Sequence, residues 1–216
     1  MHCIVTAGPT YEPLDKVRRL TNFSTGALGA ELAATLQKAG HHVTLLLGEM
    51  APYRGELLAK TIRAFSTTEH LGDLLRDAAD QPTAAIFHAA AVSDFAFGKL
   101  WHRSAHGELT ETVGGKISTR SGNLMAELKP TPKIIPRLRD WFPKSMIVGW
   151  KYEVDGTRAD ALRAAEQQLT ESRTNACVAN GPAYGEGFGL LKSDGVLTHL
   201  PRKNDLFQAL ELLIPR

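Results

Sequence analysis

Short apolar runs alternate with longer segments of helical periodicity along this chain. The runs at residues 2–7, 42–47 and 84–92 have the continuous apolar character of strands that are buried on both faces of a sheet. Residues 25–39 carry leucines at i, i+4 spacing, and Gly40 ends this predicted helix. Strands that alternate with helices imply right-handed crossovers and a parallel sheet covered on both faces. The pattern therefore predicts a three-layer α/β fold.

The same alternation continues to the end of the chain. Strands are predicted at 60–65, near 124–128, at 145–149 and at 176–179, helices after Thr67 or Thr68, near 132–140, at 157–172 and at 204–213, and a hairpin at 188–200. Residues 95–122 are rich in glycine and polar residues and are predicted to be weakly structured. The hairpin predicts a mixed C-terminal edge on a mainly parallel sheet. The absence of a linker or repeat favours one domain over residues 1–216.

Composition and charge exclude several classes of protein. The chain has 216 residues, 43% hydrophobic and 22% charged, which is ordinary for a globular protein. A formal net charge of +2 is too small to favour nucleic acid or a membrane surface as partner. No apolar run approaches a membrane span, and the first residues lack the features of a signal peptide. Cys3 and Cys177 lie in apolar runs and are expected to be buried free thiols, so we expect a cytoplasmic protein.

The segment Thr6–Gly29, TAGPTYEPLDKVRRLTNFSTGALG, joins the first strand to the first helix. It is much longer than the usual strand-to-helix connection, and such excess is commonly functional. Turns of glycine and small polar residues expose backbone N–H groups, and a helix N-terminus adds partial positive charge, so together they favour phosphate. Ligands of such sheets bind beyond the carboxyl ends of the strands. We therefore expect a nucleotide and substrate cradle along a rim formed by residues 8–10, 89–94, 149–153 and Asn180.

Two familiar nucleotide motifs are missing from this loop. The first strand is followed by AGPT rather than by G-x-G-x-x-G, and no P-loop pattern is present, so a nucleotide is held in another way. Ser24, Thr25 and Gly26 start the predicted helix and can offer hydroxyl and N–H groups to a phosphate, although Ser24 is equally explained as a plain N-cap. Arg18 and Asn22 precede them, and a guanidinium and a carboxamide suit an anionic substrate and a developing oxyanion.

Residues 8–29, GPTYEPLDKVRRLTNFSTGALG, are similar to the first motif of phosphopantothenate–cysteine ligases, also called phosphopantothenoylcysteine synthetases. Further segments follow in the order of that family, namely HAAAVSDF at 88–95, GKIS at 115–118, and VGWKYEVD at 148–155 followed by VAN at 178–180. The resemblance covers nearly the whole chain. It implies a Rossmann-like domain that forms a homodimer and acts as a ligase without an attached flavin decarboxylase domain.

The activity that the resemblance implies is amide formation driven by CTP or ATP, in coenzyme A biosynthesis. The carboxylate of 4′-phosphopantothenate attacks the α-phosphate, which gives an acyl-nucleotidylate and pyrophosphate, and the amine of cysteine then displaces the nucleotide. Such a site must neutralise charge on the triphosphate and on the tetrahedral intermediate. It therefore needs cations, Mg²⁺ with the nucleotide, and fixed donors rather than a protein nucleophile. No metal site made by the protein alone is predicted.

Residue roles follow from the same resemblance. Asn22 matches the catalytic asparagine that holds the acyl-nucleotidylate, Arg18 matches an arginine at the same intermediate, and Lys116 would stabilise charge at the reacting phosphate. Asp94 is expected to contact the nucleotide base. The other expected nucleotide-binding residues are Gly8, Thr10, Ser24, Gly26, His88, Ala89, Ala90, Lys116, Thr131, Pro132, Lys133, Ile134 and Trp150, and Ala91 is expected to bind substrate together with Arg18 and Asn22.

Each of these residues also has a plainer interpretation. Lys116 alone is typical of a solvated loop lysine, Asp94 of a turn cap, Trp150 of core packing, and His88 of a structural residue at a strand end. A weakened nucleotide-binding homologue and an NAD(P)-dependent oxidoreductase therefore stay open as alternatives, the second on fold class alone.

Departures from the bacterial pattern motivate the first alternative. Bacterial members carry K-x-K-K where this chain has Lys116 followed by Ile-Ser-Thr, and lysines expected near Gln168 and Ser172 are replaced. In these features the chain looks closer to the eukaryotic-type ligase, which leaves the choice between CTP and ATP open.

Overall fold

An eight-stranded sheet forms the centre of the computed structural model, which describes residues 1–120 and 122–215. The strands are β1 (His2–Ala7), β2 (Tyr11–Pro13), β3 (Arg19–Thr21), β4 (His42–Gly48), β5 (Thr61–Phe65), β6 (Ala85–His88), β7 (Phe95–Arg103), β8 (Leu109–Glu111), β9 (Asn123–Pro130), β10 (Met146–Tyr152), β11 (Ala176–Asn180), β12 (Phe188–Lys192) and β13 (Leu197–Leu200). The helices are α1 (Ala27–Lys38), α2 (Thr68–Ala78), α3 (Ile135–Trp141), α4 (Arg158–Ser172) and α5 (Lys203–Glu211).

The order of strands in the central sheet is β13-β12-β11-β10-β6-β1-β4-β5. All neighbours from β5 to β11 run parallel, and β12 and β13 add an antiparallel edge. The predicted mainly parallel sheet with a mixed C-terminal edge is therefore confirmed. Because the parallel strands point the same way, the loops that follow β1, β4, β6, β10 and β11 meet at one edge.

Helices cover both faces of this sheet. In β1, Cys3 and Val5 pack in the cluster that contains α1 and α5, whereas Ile4 packs on the other face in the cluster that contains α2 and α3. Burial on both faces explains why the strands read as continuous apolar runs. Burial also raises the pKa of the Cys3 thiol to about 11 and that of the Cys177 thiol to about 12, and both are free thiols as expected.

The prediction that residues 95–122 are weakly structured is wrong for residues 95–103 and 109–111, which form strands. β7 and β8 pair with β9 in a separate antiparallel sheet of order β8-β7-β9, which also contains the strand predicted near 124–128. These strands are largely exposed, and the register of β7 shifts between Phe97 and Leu100. The alternation of apolar and polar residues is therefore weak. The glycine at position 98 also made this segment resemble a loop in composition. Ser121 and Arg216, which fall within predicted segments, lie outside the described residues.

Smaller differences concern the segments that connect the elements. The first helix begins at Ala27 rather than at residue 25, and the helix predicted near 132–140 is α3, which leaves residues 131–134 in a loop. The long first loop contains a short hairpin of β2 and β3 that the sequence pattern did not reveal. None of the described helices has the length and apolar character needed to cross a membrane.

Candidate active site

The loops that follow β1 and β6 are bonded to each other beyond the ends of the strands. The Thr10 N–H donates to the Ala91 carbonyl at 3.1 Å, and the Ala91 N–H donates to the Gly8 carbonyl at 3.0 Å. The buried Thr10 hydroxyl accepts from the Ser93 N–H at 2.8 Å and lies 3.1 Å from the Ser93 hydroxyl. The Thr10 side chain thus supports the rim from inside, and a direct contact between it and a nucleotide stays a prediction.

A junction of glycines brings the N-terminus of α1 to the same loops. Gly8 and Gly26 both have left-handed backbone, with φ of 81° and 75°. A Cβ at Gly26 would lie 3.3 Å from the Gly8 Cα, and a Cβ at Gly8 would lie 2.8 Å from the Cβ of Ala51. Gly26 is the N-cap and has no side chain to bond the first turn, and only the Ala27 N–H has a side-chain partner among the described residues, the Thr25 hydroxyl at 3.3 Å. The next N–H groups of the first turn are therefore available to an anion.

Ser24 does not cap the first helix, so the plain N-cap interpretation of this residue is wrong. The helix begins at Ala27 after the left-handed Gly26, and the Ser24 N–H donates to the Asn22 carbonyl at 3.0 Å. This bond closes a three-residue turn whose middle residue is Phe23. The Ser24 hydroxyl is half-buried beside the helix start, where its predicted contact with phosphate remains to be tested.

Asn22 lies over the loop that follows β6. Its Nδ2 donates to the Val92 carbonyl at 3.2 Å, and the neighbouring Thr21 hydroxyl donates to the Thr10 carbonyl at 2.8 Å. The Asn22 side chain is exposed, so its amide can exchange the Val92 carbonyl for a substrate oxygen without breaking the core. The structure therefore brings the first motif and the segment 88–95 together.

Arg18 connects the first motif to the segment 115–118. Its guanidinium pairs with the Asp15 carboxylate at 2.8 Å and donates to the Ile117 carbonyl at 2.6 Å. In return the Ile117 N–H donates to the Asp15 carboxylate at 3.1 Å, and the Lys16 N–H donates to the Gly115 carbonyl at 3.0 Å. These bonds place the exposed Lys116 next to the hairpin that carries Arg18.

Asp15 is a residue of this site that sequence reasoning missed. Burial alone would raise the pKa of its carboxyl, but backbone N–H donors from Val17, Ile117 and Arg18 and the positive charge of Arg18 lower that pKa below its ordinary value. The Asp15 carboxylate therefore holds two segments about 100 residues apart in one place. The local bonds to Asp15 come from the Val17 and Arg18 N–H groups, two and three residues on, and are typical of an aspartate turn.

Asp94 and the segment 131–134 form a third part of the rim. The Thr131 N–H donates to the Asp94 carbonyl at 2.9 Å, and the buried Thr131 hydroxyl donates to the Ser93 carbonyl at 2.5 Å. The Lys133 ammonium pairs with the Asp94 carboxylate. Pro132 is exposed between them, and Ile134 is buried below. Two segments that were each predicted to contact the nucleotide are thus in direct contact with each other.

Trp150 and Asn180 lie on adjacent strands at the other side of the rim. Trp150 of β10 pairs with Val178 of β11, two residues before Asn180. The Trp150 Nε1 and the Asn180 Oδ1 are buried, and neither has a hydrogen-bond partner within the described part of the chain. Native proteins leave few buried polar atoms unpaired, so these two atoms indicate a place where a ligand can supply partners.

Two helix positions near this strand pair do not face the rim. Gln168 and Ser172 are buried on α4, and the Gln168 Nε2 donates to the Trp150 carbonyl at 3.1 Å. Gln168 therefore points at the sheet, and the lysines of the bacterial pattern have no counterpart at these two buried positions.

His88 is a structural residue. It is buried at the end of β6, and its Nδ1 lies 2.9 Å from the Thr6 hydroxyl, which also accepts from the Ala90 N–H at 3.1 Å. Burial lowers the pKa of His88 to about 4, so the imidazole is neutral near pH 7. Through the Thr6 hydroxyl, His88 is linked to the backbone of Ala90 below the rim, and its predicted contact with a nucleotide stays a prediction.

The described residues contain no group of three or more His, Cys, Asp or Glu side chains that could hold a metal ion together. A Mg²⁺ ion in this site would therefore depend on oxygens from a bound phosphate, which is its usual mode of binding in nucleotide enzymes.

Comparison with known proteins agrees with this geometry. The family model described as the DNA/pantothenate metabolism flavoprotein C-terminal domain matches residues 1–208. The coenzyme A biosynthesis bifunctional protein CoaBC of Thermococcus kodakarensis is 29% identical over 178 residues, which are 82% of this chain and 40% of that protein. The chain spans 40–50% of the length of the curated relatives that it matches.

Solved structures show the same fold. The DNA/pantothenate metabolism flavoprotein from Streptococcus pneumoniae is 26% identical, with 97% of this chain and 96% of that one covered and a TM-score of 0.82. A Cab2 mutant in complex with phosphopantothenate-cysteine is 19% identical, with coverages of 98% and 85% and a TM-score of 0.73, and this likeness concerns the fold alone. The chain belongs to the family of the DNA/pantothenate metabolism flavoprotein C-terminal domain, which confirms the family resemblance drawn from its motifs.

Proposed function

We propose that this chain is a phosphopantothenate–cysteine ligase domain, which joins 4′-phosphopantothenate to cysteine through an acyl-nucleotidylate in coenzyme A biosynthesis. The observation that carries this proposal is the meeting of separate motif segments at one edge of the sheet. Asn22 bonds the first motif to the segment 88–95, and Arg18 bonds it to the segment 115–118. The Cab2 complex with phosphopantothenate-cysteine and the CoaBC relatives, which are named for coenzyme A biosynthesis, support the same substrates.

In the first step a carboxylate oxygen of phosphopantothenate attacks the α-phosphorus, and pyrophosphate leaves. The negative charge that develops on the phosphate needs fixed positive groups. The free N–H groups at the start of α1 and the Lys116 ammonium supply them in this arrangement. Arg18 has a supporting part, since its bond to the Ile117 carbonyl fixes the loop that carries Lys116.

In the second step the amine nitrogen of cysteine attacks the acyl carbon, and the nucleoside monophosphate leaves. A negative oxygen forms on the tetrahedral carbon before the amide is released. The Asn22 Nδ2 now donates to a main-chain carbonyl, that of Val92, and it can donate to this oxygen instead. No protein nucleophile is needed because the nucleotide is the leaving group.

We propose that the nucleotide is CTP or ATP and that it enters with Mg²⁺. The ion would be bound chiefly through phosphate oxygens and water, in keeping with the lack of a protein-only metal cluster among the described residues. Its contribution is to neutralise charge on the triphosphate. Residues of this chain then orient the triphosphate at the Gly8 and Gly26 junction.

We also propose a homodimer. Several apolar side chains on the antiparallel sheet are exposed, namely Phe95, Leu109, Met125 and Leu128, and Phe23 beside Asn22 is fully exposed. Clusters of exposed apolar residues are typical of protein interfaces. Light scattering at micromolar concentration should give twice the mass of 23.5 kDa. A monomer at every concentration would contradict this part of the proposal.

We place the reaction in the cytoplasm. Cys3 and Cys177 are free and buried, and the absence of a disulfide between them is typical of a reducing compartment. Localisation of a fluorescently tagged full-length protein tests this placement.

A pyrophosphate-release assay tests the proposed activity. Release that requires phosphopantothenate, cysteine and either CTP or ATP, together with the amide product by mass spectrometry, would support the ligase. Nucleotide binding without turnover would favour the weakened homologue, which the short basic motif at Lys116 motivates. Binding of NAD(P) with hydride transfer would favour the oxidoreductase instead.

A further inference from the structure

An exposed ion pair joins Lys133 and Asp94 at the rim. The Lys133 Nζ contacts the Asp94 Oδ1, and the two side chains are 62% and 66% exposed. Exposed ion pairs contribute between zero and about 1 kcal/mol to folding. The contribution of this pair to stability is therefore small, and its position at the proposed nucleotide site calls for another explanation.

Both ends of the pair are held in place by their backbones. Thr131 donates twice to the segment that carries Asp94, once to the Ser93 carbonyl at 2.5 Å and once to the Asp94 carbonyl at 2.9 Å. On the other side of Lys133, Ile134 is only 5% exposed and packs in the core with α2 and α3. The lysine and the carboxylate are thus presented to each other by fixed loops, although their tips remain accessible.

The ion pair leaves the second oxygen of the Asp94 carboxylate, Oδ2, able to accept a hydrogen bond from a ligand. Lys133 contacts Oδ1, and in the described chain no other side chain or N–H group donates to the Asp94 carboxylate. An ionised carboxylate has no donor of its own. A nucleobase edge that meets the remaining oxygen must therefore donate a hydrogen, as the exocyclic amines of cytosine and adenine do. The carbonyl of uracil or hypoxanthine would face it as a second acceptor.

We propose that Lys133 is a positioning residue, which turns the Asp94 carboxylate so that the site selects nucleobases with an exocyclic amine over those with a carbonyl at that position. This inference rests on the proposed function and goes further, because it names the chemical basis of nucleotide choice. It accounts for both ATP and CTP as substrates by one contact. It also predicts that UTP and ITP are poor substitutes.

Equilibrium binding tests the inference without any turnover. ATP, ITP, CTP and UTP, each with Mg²⁺, are titrated into the full-length protein by calorimetry. Wild type should bind ATP over ITP and CTP over UTP by roughly tenfold or more, the value of one hydrogen bond to a charged group. Lys133→Met should reduce both ratios by roughly threefold or more, because it leaves the carboxylate free to rotate, while Lys133→Arg should retain them.

Ratios within each pair separate base selection from phosphate binding, since the triphosphate is common to both nucleotides. Lys129→Met is the matched control, because Lys129 is 59% exposed and its ammonium pairs with Glu127 on the same strand rather than with Asp94. It should leave both ratios unchanged. Asp94→Asn should shift the preference toward ITP and UTP, because a side-chain amide can donate to a carbonyl. Unfolding curves establish that each variant is folded.

Several outcomes would overturn the inference. It fails if wild type does not discriminate within either pair, if Lys133→Met keeps both ratios, or if that variant weakens all four nucleotides equally, which would make Lys133 a phosphate contact. Its failure is distinguishable from that of the proposed function. Product formation without base discrimination removes only the role of Lys133, whereas discrimination without any amide product removes only the ligase.

Discussion

At the amino-terminal edge of the central sheet, the Arg139 guanidinium donates to the carbonyls of Phe142, Pro143 and Ser145 at 2.9–3.2 Å and to the Asn175 side chain at 2.6 Å. At the carboxyl-terminal edge, Lys116 is an exposed lysine of a loop that other residues hold in place. Both edges are therefore basic. The Arg139 guanidinium is taken up by bonds within the protein, whereas the Lys116 ammonium has no ion-pair partner among the described residues.

A cavity at the amino-terminal edge is also lined by basic side chains, but the helix ends that meet there have the opposite polarity. It measures about 930 Å³ and is lined by Arg139, Lys144, Arg173 and Asn175 among others. The C-terminal ends of α3 and α4 meet there, and their partial negative charge is what these cations neutralise. The N-terminus of α1 gives the opposite polarity to the other edge. Helix direction, rather than cavity volume, thus favours the carboxyl-terminal edge for the proposed phosphate site.

The largest expected effect is on Asn22, and it separates activity from stability. Asn22→Ala should reduce amide formation by about 10²- to 10³-fold, the usual loss for an oxyanion donor. The free energy of unfolding should change by less than about 0.5 kcal/mol because the side chain is exposed. Single-turnover kinetics and denaturant titrations measure the two quantities. Asn204→Ala, an exposed asparagine of α5, is the control, and wild-type turnover in Asn22→Ala would remove the assigned role.

The pH dependence of stability tests whether His88 belongs to the buried core below the carboxyl-terminal rim. Its pKa is about 4 in the folded state against 6.5 when unperturbed, so between these values the unfolded chain binds a proton that the native protein does not. Stability should therefore fall as the pH is lowered from about 6.5 to about 4, by up to roughly 3 kcal/mol, and level off below. Denaturant unfolding at a series of pH values measures this slope.

A glutamine at position 88 removes the titration, so His88→Gln should flatten the slope even if it lowers stability at neutral pH. His106→Gln, at an exposed histidine of the β7–β8 connection, should leave the slope as it is in wild type. Equal slopes in wild type and His88→Gln would mean that another group carries the dependence.

Arg139 should show the reverse of the pattern expected for Asn22. Arg139→Ala leaves the carbonyls of residues 142, 143 and 145 without their donor, and we expect a loss of about 1–3 kcal/mol in the free energy of unfolding. The rate of amide formation per folded molecule should stay at the wild-type value. Arg137→Ala, two residues away at an exposed position, is the control. A large loss of activity in folded Arg139→Ala would contradict the assignment of stability to the amino-terminal edge and of activity to the carboxyl-terminal edge.

The sequence predicted the sheet well because its strands are buried on both faces. β1 and β6 are continuous apolar runs, which identify them as buried strands without any alternation of polar and apolar residues. β7 and β8 were missed because half-exposed strands with a glycine and a register shift resemble a loop in composition. Only long-range pairing with β9 gives them their structure.

The sequence predicted site residues that lie in recognisable motifs, but not the contacts between segments that are distant in the chain. Residues 8–10 and Asp94 were placed on one rim because they follow parallel strands, whereas Asn22 was assigned from the family motif. Asp15 was missed because its function is to accept bonds from backbone N–H groups, one of them about 100 residues away. The pairing of Lys133 with Asp94 depends on how β9 returns to the sheet, which no local pattern encodes.

Lys116 and Lys144 offer the finest test of the comparison, since each is an exposed lysine at one edge of the same sheet. Lys116→Ala should lower kcat by about tenfold, because one exposed cation at a reacting phosphate is lost, whereas Lys144→Ala should leave kcat unchanged. Lys116→Arg should recover most of the rate if charge is what matters. Equal kcat values in wild type and Lys116→Ala would make Lys116 an ordinary loop lysine. Equal losses in both alanine variants would mean that overall charge, rather than the edge on which it lies, determines the rate.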